Sequence, residues 1–63
     1  MEGRKVINIF DHSAEILNYY RVNKFKKTRD GLKNSIFEWM DGEFYTTDKK
    51  TVEPFLEEYT KLI

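Results

Sequence analysis

The chain has no cysteine. Disulfides and thiolate metal sites are therefore excluded as sources of stability, and the absence agrees with an intracellular setting. There is one histidine and one proline, and the three glycines stand singly at 3, 31 and 42. A lone histidine leaves only carboxylates as further metal ligands, and these show no clustered ligand spacing. Isolated glycines exclude a glycine-rich phosphate loop. No apolar run approaches the ~20 residues of a membrane span. Only five mostly apolar residues follow Met1-Glu2-Gly3-Arg4-Lys5, too few for the core of a signal peptide, so no export signal is expected. Asp11-His12-Ser13 names the residue types of a hydrolase triad, but sequence neighbours cannot converge as a triad requires. Helix entry accounts for them instead. These absences predict no cofactor, no metal, no membrane partner and no enzymatic centre.

What the chain has is aromatics and charge. A single domain spanning 1–63 is expected from the length. So short a chain buries only ~60% of the surface it exposes when unfolded. The ten aromatics, 16% of the residues, must supply the core, each able to bury ~150–250 Å². Net charge is zero but unevenly spread: residues 1–34 hold eight Lys and Arg against four acids, an excess of +4, and residues 35–63 the reverse. Such a dipolar chain suits internal charge complementarity, or pairing with a charged partner.

The chain reads as organised around Ile36–Thr47, taken as a β-hairpin turning at Asp41-Gly42. That register sets Trp39 opposite Phe44 and aligns Phe37 with them as one apolar face. A second Asp-Gly at 30–31 extends the hairpin to an antiparallel meander, about 22–29, 32–40 and 43–47. Before it, Lys5–Phe10 reads as a β-rich strand. Residues 13–21 read as a helix capped by Asp11 or Ser13. After it, Val52, Phe55, Leu56 and Tyr59 recur at helical spacing, behind a cap at Asp48 or Thr51 and with Pro54 in the first turn. The expected fold class is α+β: a small single domain with a meandering sheet and a C-terminal helix across its aromatic face. A competing reading makes Asp30–Gly42 a helix with Leu32, Ile36, Phe37 and Met40 as its stripe and Gly42 as its C′ residue. Strands are preferred because Ile36–Trp39 is rich in β formers.

One stretch stands out as a candidate binding surface. Arg21, Lys24, Lys26, Lys27 and Arg29, with Phe25 among them, could track a phosphate backbone and stack a base. In a strand, the same lysines would serve to block edge-to-edge aggregation, and that reading is favoured. Tyr19-Tyr20 and Tyr45 are candidate partner-facing anchors, with burial in the core the favoured reading for so small a chain.

Met40-Asp41-Gly42-Glu43-Phe44-Tyr45-Thr46-Thr47-Asp48, followed by Val52 and Phe55-Leu56, resembles a pattern in small accessory proteins of tailed bacteriophages. The resemblance covers the last third of the chain; Phe44-Tyr45 and Pro54 depart from the pattern. It implies a non-enzymatic virion or assembly component, placed in the host cytoplasm or the virion, and transfers no functional residue. The expected function is a protein–protein interaction module with a protein partner or self-association. The alternative is a nucleic-acid-binding or host-regulatory protein acting through residues 21–29.

Overall fold

The computed structural model describes residues 3–62. A two-residue strand, β1 (Lys5–Val6), leads into a 3-10 turn at Ile9–His12. Three helices follow: α1 (Ser13–Val22), α2 (Arg29–Glu43) and α3 (Lys49–Thr60). A second short strand, β2 (Tyr45–Thr46), lies between α2 and α3. It pairs with β1 in parallel, Lys5 against Tyr45 and Val6 against Thr46. Thr47 adds a side-chain clasp, its hydroxyl donating to the Ile7 carbonyl at 2.8 Å.

The antiparallel meander is therefore absent. Residues 22–28 end α1 and form a loop, residues 29–43 are one helix, and only Tyr45–Thr46 of the last expected strand is extended. The physical reason lies in what is buried. Leu32, Ser35, Ile36, Trp39 and Met40 are all buried on α2, which is helical spacing of i, i+3, i+4, i+7 and i+8. Phe37, aligned with Trp39 in the hairpin reading, instead lies outside with 39% of its surface exposed. Thr28 starts the helix by accepting a hydrogen bond from the Gly31 N–H at 3.0 Å. The stop is not Gly42, which has no positive φ, but Phe44 at φ 62°. Asp41-Gly42 is thus the last turn of α2 rather than a hairpin turn.

Other boundaries shift as well. The expected strand at 5–10 keeps only its first two residues, because Asn8 accepts from the Phe10 N–H at 3.0 Å and turns the chain into the 3-10 segment. That segment runs directly into α1, so neither Asp11 nor Ser13 caps it; His12 occupies the cap position without a side-chain bond. Asp48 caps α3 by accepting from Lys50 N–H at 3.0 Å. Pro54 sits inside α3, past the first turn, where it cannot donate to the carbonyl of Lys50 four residues earlier.

The core is built around α2, which packs on α1, β2 and α3. Ile9, Ile16, Tyr20, Leu32, Ile36, Met40, Val52, Phe55 and Leu56 are almost wholly enclosed. α3 lays Val52, Phe55 and Leu56 against α2 and the 3-10 turn rather than across a sheet. Phe10, Phe55 and Tyr59 stack there, with centroids 5.3 Å apart for Phe10–Phe55 and 4.5 Å for Phe55–Tyr59. The aromatics do supply much of the core, but Phe37 and Phe44 remain outside it.

Candidate functional site

Two surfaces stand out. The first is an open groove where α2, β2 and α3 meet, bordered by Arg4, Phe37, Asp41, Tyr45, Thr47 and Lys49 among others. Phe37 and Asp41 border it one turn apart on α2, at i and i+4, and Phe44 stands at the C-cap of α2, outside that lining. Arg4, from the segment before β1, reaches Asp41 and Phe44. Its guanidinium donates to Asp41 Oδ1 at 2.6 Å and lies 5.1 Å from the centre of the Phe44 ring. Phe44 is 58% exposed although its backbone is left-handed, a conformation that disfavours bulky residues.

The second surface is the loop between α1 and α2. α1 closes on Lys24 at φ 56°. Lys24 N–H donates to the Arg21 carbonyl at 3.1 Å, and Phe25 N–H to the Tyr20 carbonyl at 3.2 Å. This paired closure is the Schellman motif, and it comes with its usual apolar contact. Phe25 packs on Tyr19 and Tyr20, with centroids 5.9 and 6.4 Å away. Tyr20 then donates its hydroxyl to the Lys26 carbonyl at 3.0 Å. The loop backbone is thus tied to α1 at several points while Arg21, Lys24, Lys26 and Lys27 stay exposed.

The candidate residues read from the sequence divide between these surfaces. Arg21, in the last turn of α1, borders one hollow with Lys24 and Lys27 of the loop, Lys26 lies in the next one, and Phe25 is the loop's half-buried anchor. Arg29 begins α2 and forms an ion pair with Glu53 of α3. Tyr45 belongs to the groove, packed against Trp39 and His12 at 5.5 and 5.7 Å. Because 22–29 is no strand, edge protection does not explain its lysines. Arg4, Phe37 and Phe44 escaped the sequence reading, since the hairpin turned Phe37 and Phe44 inward. For Phe37 the available signal was its place off the Leu32, Ile36, Trp39 and Met40 face of a helix.

Other polar side chains are engaged locally, although the buried Thr60 hydroxyl has no partner among the described residues. His12 Nδ1 lies 2.7 Å from Glu15 Oε1, one turn into α1. Tyr19 donates to Glu38 at 3.3 Å. Loss of surrounding water, then that hydrogen bond and the Glu38 charge, hold the Tyr19 hydroxyl above its ordinary pKa. Among the described residues, no three His, Cys, Asp or Glu side chains gather to hold a metal ion. No helix among them is long and apolar enough to cross a membrane. In comparisons with known proteins, no family model, curated protein or solved structure matches the chain.

Proposed function

We propose that the protein is a non-enzymatic interaction module that binds a protein partner through the groove between α2, β2 and α3. The observation that carries this reading is Phe37 on the wall of the groove and Phe44 exposed at the end of α2, with Arg4 held between Asp41 and the Phe44 ring at the groove's edge. Aromatic residues and arginine dominate the energetic centres of protein interfaces. Arg4 is restrained by both an ion pair and a ring, so it loses less freedom on binding than a loose arginine would. Phe44 keeps an exposed ring at a backbone position better suited to glycine, which fits selection for contact rather than for stability. Among the described residues, no hydroxyl in the groove is hydrogen-bonded to a base; Thr47 donates to a backbone carbonyl. The phage virion or assembly setting, inside the host cell or the virion, is part of this proposal and rests on the resemblance of the C-terminal third alone.

The test is capture of a partner from native extract by the parent chain, compared with Phe37→Ser/Phe44→Ser. The double variant should melt like the parent and lose the captured protein. Sedimentation of both proteins alone covers the case in which the partner is a second copy. Equal capture and equal self-association by parent and variant would contradict the assignment.

A further inference from the structure

We propose that the α1–α2 loop is a second, independent binding site, one that takes the phosphate groups of a nucleic-acid backbone without reading its sequence. Arg21, Lys24 and Lys27 surround a surface concavity of about 470 Å³, with Tyr20 and Phe25 as its remaining lining. No carboxylate lines it. Arg21, Lys24, Lys26 and Lys27 form no ion pair with any described residue, whereas Arg4 and Arg29 each do. In a chain of zero net charge, this concavity is therefore a local concentration of positive charge, with Lys26 in an adjoining hollow that Asp30 also lines.

The backbone beneath the cations is held from behind. The backbone closure at Lys24 and the Tyr20 hydrogen bond to Lys26 fix one side of the loop. Gly31 fixes the other: the Lys26 backbone passes so close that any Cβ there would overlap the Lys26 carbonyl. A backbone fixed in this way leaves only the exposed side chains to order when an anion binds. The lining favours a phosphate backbone over an acidic protein. A protein partner needs exposed apolar anchors at the centre of its site, and here Tyr20 is buried and Phe25 half-buried. What remains exposed is cationic, the side-chain chemistry that neutralises phosphates and releases their counterions.

The experiment is fluorescence anisotropy of the full chain with a mixed-sequence DNA duplex across a range of salt. Log K should fall linearly with log salt, with a slope of about −2 to −3 for two or three phosphates neutralised. Arg21→Gln/Lys24→Gln/Lys27→Gln should abolish that slope and lower affinity at low salt at least ~10-fold, with the melting temperature unchanged. Lys24→Gly is the safeguard against misfolding. Glycine suits φ 56°, so this variant should fold at least as well while the slope shrinks by about 1 unit. Phe37→Ser/Phe44→Ser should bind DNA like the parent, which separates this site from the groove. Three results would each overturn the proposal: no salt-dependent binding, an unchanged slope in the triple variant, or equal competition by polyglutamate of matched charge. Inorganic phosphate should compete only weakly; competition equal to that of the duplex, phosphate for phosphate, would overturn the polymer assignment.

Discussion

The backbone of Lys26 lies against Gly31, and a Cβ on Gly31 would run into the Lys26 carbonyl. That contact couples the start of α2 to the basic loop. Alanine normally improves a helix relative to glycine, but at Gly31 the obstacle is backbone and cannot rotate away. Gly31→Ala should therefore destabilise by ~1–3 kcal/mol, as overpacking does. Gly42 is the control. Nothing stands within 4 Å of its Cβ position and its φ is not positive. Gly42→Ala should stabilise by ~0.5–1 kcal/mol. Thermal melts of both variants check the pair, and a hairpin turn at Asp41-Gly42 would reverse the second sign.

Phe44 should be replaceable without loss of stability. Relief of a left-handed backbone on Phe44→Gly recovers roughly 1–2 kcal/mol. Loss of the Arg4 contact gives back ~0.5–1 kcal/mol. The variant should melt at or slightly above the parent temperature while partner capture weakens. A clear drop in melting temperature would show that the ring serves the fold rather than the surface.

Leu56 is fully enclosed between α3 and the rest of the core. Leu56→Ala should cost ~2–5 kcal/mol, a large share of the stability of so small a chain. Circular dichroism should show a much lower or absent transition. Melting like the parent would mean that α3 does not pack as described.

Alkaline pH should weaken the fold through Tyr20. Burial pushes its hydroxyl up from the ordinary 10.0. The folded chain then keeps a proton that the unfolded chain has released. Stability is fully present below pH 10 and falls as pH rises toward the folded value. Melting temperature should decline in that window, and by less in Tyr20→Phe. That variant should also lose about 1 kcal/mol at neutral pH with the hydrogen bond to Lys26. Equal alkaline decline in parent and variant would remove Tyr20 as a cause.

The legible parts of the fold were the helices whose apolar spacing is uninterrupted. α1 appears at Ser13–Val22 where 13–21 was expected, and α3 follows its Asp48 cap with Val52, Phe55 and Leu56 inward. α2 was obscured by particular residues. Ser35 occupies a core position, where its hydroxyl donates to the Leu32 carbonyl at 2.7 Å, so the stripe reads as broken. Gly31 and Gly42 sit inside the helix, one because the Lys26 backbone needs the space. Ile36-Phe37 and Trp39 favour strands locally, and burial on three sides of α2 overrides that preference. The basic loop was legible as a charge cluster but not as a loop. Of the groove only Tyr45 was legible, because Arg4 and Phe44 meet only once residues 29–43 form a helix.

The continuity of α2 from Arg29 through Gly42 therefore underlies both proposed surfaces. Backbone carbon chemical shifts across residues 29–44 test it most directly. The account predicts helical Cα shifts without interruption from Asp30 to Gly42, with a break only at Phe44. Extended values over 32–40, resuming after a turn at Asp41-Gly42, would contradict the helix and with it the placement of Phe37, Phe44 and Arg4.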